Sequence, residues 1–279
     1  MAFPSTVEIP YGSEKITHTT KRRPLGTRGV TPDGRVFYYA QNGTVALEAN
    51  VLAQSRVGIG ADSNSVALVP TTIGGGSDNT TAGGVATGSD DIGVVVQSSY
   101  SSGEYVDGYL VVETTPGFGF YRIIDDTGAT ATGLSVNIKL HPNDPLQGQA
   151  LTTVSRIGLR ASPYSRVIVA PASTPTSMLA GVSPIDVGAS AFFWCQTYGP
   201  AIVVYDALVA AVAGNALLGG VSASAGNITG FPVSTDTTTG AITSTAGVVA
   251  YSADQRIGIA LSGIPDDGDS IYCMLTIRA

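Results

Sequence analysis

Residues 134–140 read LSVNIKL, in which Leu134, Val136, Ile138 and Leu140 alternate with Ser135, Asn137 and Lys139. Strand side chains point to opposite faces at every second residue, so this spacing predicts a strand with one face in a core and one in water. The terminal stretch 271–277, IYCMLTI, repeats the pattern, with Ile271, Cys273, Leu275 and Ile277 on one face. Further strand-like runs stand at 92–97, 109–113, 118–124, 154–159, 166–170, 192–197, 201–205 and 256–261. Turn signals fall between them, among them 114–117 (TTPG), 142–145 (PNDP), 198–200 (YGP) and 265–269 (PDDGD), and short strand-like runs punctuated in this way mark an all-β chain.

Composition agrees. Gly numbers 35 of 279 residues, 43% of the chain is apolar and only 13% is charged. Abundant Gly, Ser, Thr and Val disfavour helix, and the apolar content is enough to offset the entropy of ordering a backbone. The expected fold is all-β, a Gly-rich β-barrel or β-sandwich body; a secreted all-β domain of similar composition is the alternative class. Residues 206–212 are the one stretch that could form a helical turn or two. The segment 73–91, rich in Gly, Ser, Thr and Asp, reads as a surface loop.

The N-terminal part has a different character. Residues 17–47, THTTKRRPLGTRGVTPDGRVFYYAQNGTVAL, hold five of the fourteen Lys and Arg. Pro32-Asp33-Gly34 marks a turn, and Asn42-Gly43 between RVFYYA and TVAL reads as a hairpin. Pro24, Gly26 and Gly29 keep the basic stretch from forming a helix, so its backbone donors must find partners elsewhere. The expected organisation is an extended basic arm, 1–30, on a β-rich body, 31–279. The body divides into sub-domains 31–170 and 185–279 around a Pro-rich connector, 171–184. Residues 1–56 carry a net charge of +3 and the remainder −10. An acidic body does not attract nucleic acid, whereas a basic arm fits an acidic protein neighbour. Lys21, Arg22, Arg23 and Arg28 are the expected partner-binding residues.

Chemistry is harder to find. His18 falls in the arm and His141 on the polar face of a strand, both expected as solvated side chains. No GxSxG, HExxH, P-loop or dinucleotide fingerprint occurs. The glycine runs 74–76 and 83–84 lack a following helix that could hold a phosphate. Asp90-Asp91 and 266–269 lack the distal Glu of a calcium loop. The expectation is no catalytic residue, no cofactor and no metal. The triplets at Asn42, Asn79 and Asn227 match the glycosylation pattern but are read as accidental, because the first fifteen residues lack the basic start and apolar core of a secretory leader. The most apolar stretch, 201–218, is broken by Asp206 and Asn215 and is too polar for a bilayer. Cys195 and Cys273, the two cysteines, each sit in a strand-like run and are expected to be reduced and packed as small hydrophobes. Phe192, Phe193 and Trp194 in one strand are expected to supply core and interface aromatics, with Phe192 and Trp194 as the interface candidates. A carbohydrate-stacking role for them is the competing reading.

Several segments resemble the decoration (cement) and head-surface stabilisation proteins of tailed bacteriophages. They are 23–27 (RPLGT), 32–40 (PDGRVFYYA), 45–52, 193–200 (FWCQTYGP), 213–217 (AGNAL) and 256–261 (RIGIAL). The resemblance implies a non-enzymatic structural protein of the virion, made in the host cytoplasm, that stabilises a shell by bridging capsid subunits. It implies the major capsid protein as partner and a homo-oligomer, foremost a trimer, since such proteins often sit at three-fold positions. A host- or glycan-binding module of a phage fibre or bacterial adhesin is the alternative.

Overall fold

The computed structural model describes residues 6–56, 67–68, 85–95, 99–112, 119–131, 135–152, 155, 157–172, 176–206, 213–219, 224–230, 234–235, 242–243, 256–262 and 268–278. The chain forms two compact units, Met1–Arg56 with Tyr164–Ala279, and Val57–Pro163. The second is an insertion into the first. This replaces the expected division at residue 30 and around 171–184: what makes a unit is strand pairing between distant segments, which the run of turn residues does not report.

Unit 1 opens with β1 (Thr6–Glu8), β2 (Arg28–Val30), β3 (Val36–Gln41) and β4 (Leu52–Gln54). The insertion holds β5 (Ala67–Leu68), β6 (Asp91–Val95), β7 (Tyr109–Val112), β8 (Gly119–Asp126), β9 (Ser135–Leu140) and β10 (Ile157–Arg160). Unit 1 resumes with β11 (Ile168–Val169), β12 (Leu179–Val182), β13 (Phe192–Val204), β14 (Ala216–Gly219) and β15 (Ile228–Gly230). It closes with β16 (Ser234–Thr235), β17 (Ile242–Thr243), β18 (Arg256–Ala260) and β19 (Ser270–Thr276). One 3-10 turn, Ser13–Lys15, is the sole helical element among the described residues. No helix there is long and apolar enough to cross a membrane. The fold is all-β, as the alternation in the sequence requires.

In unit 1 the sheet runs β1-β2-β3-β13-β19-β18-β14-β15, with β4, β11 and β12 joined at its side. Its core is aromatic around Phe37, Tyr39, Phe193 and Trp194, and aliphatic around Val203, Leu217, Ile257, Ile271 and Leu275. In unit 2 the order is β5-β10-β7-β8-β9-β6, over a core that includes Ile92, Leu110, Ile123, Ile138 and Leu140. The alternation read at 134–140 is the inward face of β9: Val136, Ile138 and Leu140 are buried. Ile271, Cys273 and Leu275 do the same in β19.

Four local readings need correction. Residues 6–30 are not a free arm. The β1 strand lies parallel to β2, β2 antiparallel to β3, and Ile9 and Leu25 are buried, so the backbone donors find partners within the chain's own sheet. Asn42-Gly43 does not turn a hairpin: the neighbours of β3 are β2 and β13. The fully buried Asn42 side chain instead donates to the carbonyls of Val45, Val187 and Gly188. Residues 198–200 do not turn either, because β13 continues through them to Val204. Gly199 takes φ +94° beside a bulge at Gln196/Tyr198, and Pro200 lies past the last β3 partner, where a missing N–H breaks no ladder on that side. His141 is buried, its Nδ1 accepting the Asn143 N–H just beyond β9. The turn at Pro32-Asp33-Gly34 joins β2 to β3 as expected, with Gly34 at φ +83°. The glycine runs, residues 73–84, the Asn79 triplet and 207–212 lie outside the described residues.

Antiparallel pairing of Gln54 with Ile168 brings the two ends of the insertion site together. Replacing 57–163 by a short Gly/Ser linker should therefore leave unit 1 folded. The expected result is one cooperative unfolding transition with the near-ultraviolet signal of Trp194 intact; loss of both would show that unit 1 needs the insertion.

Candidate functional site

The site is built on Tyr39. Its backbone N–H donates to Thr27 (2.9 Å) and its carbonyl accepts Gly26 N–H (2.8 Å), while its phenolic oxygen accepts the Arg22 N–H (3.1 Å). Upstream, His18 and Phe192 exchange two backbone bonds of 2.9 and 2.8 Å. Thr27 closes the downstream end by donating to the Pro24 carbonyl from both its N–H and its hydroxyl. Gly26 is obligatory there, at φ +82° with the Tyr164 ring 3.3 Å from where a Cβ would stand. The segment 19–25 is thus a loop fastened at both ends, presenting exposed Lys21, Arg22 and Arg23. Burial pushes the Tyr39 phenol up, opposed by the Arg22 N–H bond and by the charges of Arg22 and Arg23.

The other two cations of the stretch are separate. Arg28 is half-buried in β2, between Thr6 and Tyr38 in register. Arg35 is committed internally: its Nε meets Asp33 at 2.8 Å, its Nη2 meets buried Glu14 at 3.2 Å, and its guanidinium lies 5.5 Å over Phe37. Desolvation works against the charge on Arg35, but the two carboxylates outweigh it and hold its pKa above the ordinary value.

Phe192 and Trp194 are interior. They are 9% and 4% exposed, and both rings pack on Tyr39, Trp194 edge-on at 5.1 Å and Phe192 near-parallel at 6.1 Å. A Cβ on Gly29 would come within 2.8 Å of the Trp194 ring. The expectation of interface aromatics is corrected accordingly: the first half of β13 is covered on both faces, so neither ring offers a stacking surface to a sugar or a protein. Sequence reasoning missed this because period-2 alternation distinguishes the two faces of a strand only when one of them is wet.

Other titratable residues serve structure. In unit 2, Arg122 and Asp107 form a buried ion pair of 3.1 Å, and the Asp126 carboxylate accepts Gly103 and Tyr105 N–H. Burial pushes Asp126 up against those bonds. An open groove of about 560 Å³ in unit 1 is lined by Ala46, Leu47, Glu48, Ala49, Asp186, Val187 and Gly188, and its Asp186 carboxylate accepts the Ala49 N–H at 2.7 Å. Among the described residues no group of three or more His, Cys, Asp or Glu could hold a metal ion. Cys195 and Cys273 are free and buried; burial raises both thiols, that of Cys273 to about 12.

Two measurements check this geometry. Both thiols should escape a thiol reagent in the native protein and react fully once it is unfolded; rapid native labelling of either would contradict its burial. Trp194→Ala should cost about 3–5 kcal/mol of stability in denaturant titrations, as expected for removing a well-packed buried indole, and a loss under 1 kcal/mol would contradict the packing described. Comparison of the chain with protein-family models, with curated proteins and with solved structures gave no match.

Proposed function

We propose that this protein is a structural component of a phage virion, on the capsid surface, where it stabilises the shell by bridging capsid subunits and performs no catalysis. The observation that carries the reading is the fastened loop with Lys21, Arg22 and Arg23 exposed side by side, on a chain whose net charge is −7. A row of cations on a fastened loop of an otherwise acidic protein steers it toward an acidic patch of matching geometry. The partner is the major capsid protein, approached after synthesis in the host cytoplasm. The sparse charge, 13% of residues, supports a surface partly covered by neighbours, including further copies of this chain. Arg28, half-buried in a strand, contributes less than the loop.

Undecorated capsids test the reading directly. Because residues 6–30 belong to the sheet, deleting them would damage the fold, and the informative variant is Lys21→Gln/Arg22→Gln/Arg23→Gln. The wild type should bind capsids saturably. The triple variant should associate about tenfold or more slowly at low salt and lose most of its salt dependence. Failure of the wild type to bind any capsid, with binding to glycans or cells instead, would overturn the proposal.

A further inference from the structure

Strands β13, β19 and β18 lie side by side, and on their inner face Ala201, Val203, Ile257, Ala260, Ile271, Cys273 and Leu275 are buried. The outer face is also apolar. Ile202 stands opposite Tyr272, whose carbonyl accepts Leu261 N–H at 2.9 Å, and Pro200 stands opposite Met274, which is opposite Ile259. Two neighbouring rows, Ile202–Tyr272–Leu261 and Pro200–Met274–Ile259, therefore form one patch, extended by Tyr198. Tyr198, Ile202, Ile259, Leu261 and Tyr272 are 38–51% exposed. No charged residue occurs in 198–204, 257–262 or 270–276.

Five large side chains about half exposed present on the order of 400–500 Å² of apolar surface, near the upper limit for a single patch on a monomer. With a polar rim that area suffices for the apolar centre of an interface of roughly 800 Å² per partner.

The ends of the patch carry opposite charges. Since β18 runs antiparallel to β19, exposed Arg256 lies at the Thr276 end, whereas exposed Asp269 immediately precedes Ser270 at the other. Two copies stacked face to face with a two-fold axis across the strands bring each Arg256 end over the other copy's Asp269 end, twice. An axis along the strands would instead set like charges together. A complementary pattern of this kind on one face is what an isologous pair requires and what an unrelated partner would not. We infer that this face is the contact surface of a two-fold homodimer, its strands antiparallel between copies in a sheet-on-sheet stack. The inference is independent of the capsid reading, and it differs from the three-fold arrangement that the phage resemblance implies.

Sedimentation of the full chain from about 1 to 100 µM tests it. A monomer–dimer equilibrium is expected. Ile202→Asp and Tyr272→Asp, both at exposed positions, should weaken it at least tenfold while leaving the near-ultraviolet signal of Trp194 unchanged. Ile202→Ser serves if an aspartate variant fails to fold. Arg256→Asp alone and Asp269→Arg alone should each weaken the dimer, and the double swap should restore it. A monomer throughout, a closed trimer, or a dimer indifferent to Ile202 overturns the inference. A dimer that loses affinity with Ile202→Asp but ignores the charge swaps overturns the antiparallel two-fold.

Discussion

Strand β13 has to serve two sets of neighbours, and the rest of unit 1 is arranged around that requirement. From Phe192 to Tyr198 it pairs with β3, and from Tyr198 to Val204 it pairs with β19, so Tyr198 has a partner on each side. A regular strand would carry one register and one twist through the whole length. The bulge at Gln196/Tyr198 and the positive φ of Gly199 supply the change of register at the crossover. Gln196 then holds the crossover in place, its Nε2 donating to the carbonyls of Tyr198 (3.3 Å) and Pro200 (2.8 Å). Gly199 is required twice over, since a Cβ there would also meet the Arg35 side chain and backbone at 3.0–3.2 Å. Thr197 fastens the C-terminus to the same point, bonding Arg278 through its hydroxyl and Ile277 through its carbonyl.

The N-terminal half of β13 explains the cationic loop. Phe192 and Trp194 press on Tyr39, and Tyr39 holds segment 19–25 through three hydrogen bonds to Arg22, Gly26 and Thr27. Aromatic packing thereby fixes a loop that has no repetitive structure of its own. Neutralisation of Arg35 by Glu14 and Asp33 keeps the β3 start inside the protein's own electrostatics. Lys21, Arg22 and Arg23 are left on the outside.

The all-β class and the strands β9 and β19 were legible in the sequence because one face of each is buried and the other is not. The Pro32-Asp33-Gly34 turn was legible because only a few residue types tolerate a left-handed backbone. Asn42-Gly43 and residues 198–200 misled for a related reason. Asn, Gly and Pro report local backbone freedom, which a bulge, a strand crossing and a hairpin all use. The insertion was hidden because pairing of Gln54 with Ile168 spans more than a hundred residues with no local trace. The cations were visible by type, but their fastening was not: it depends on Phe192, far along the chain, reaching His18.

The two outward-facing features of unit 1 sit at opposite ends of β13. The loop is tied to Phe192, where the strand begins, and the apolar face starts at Tyr198 and runs toward Val204. Six residues separate Phe192 from Tyr198, about 20 Å of extended chain. Charges on the loop act over about 8–10 Å at physiological ionic strength, whereas apolar burial acts only in contact. At that separation neither surface screens or obstructs the other. The strand that organises the core thus also keeps apart the two surfaces on which the proposed capsid contact and the proposed dimer rest.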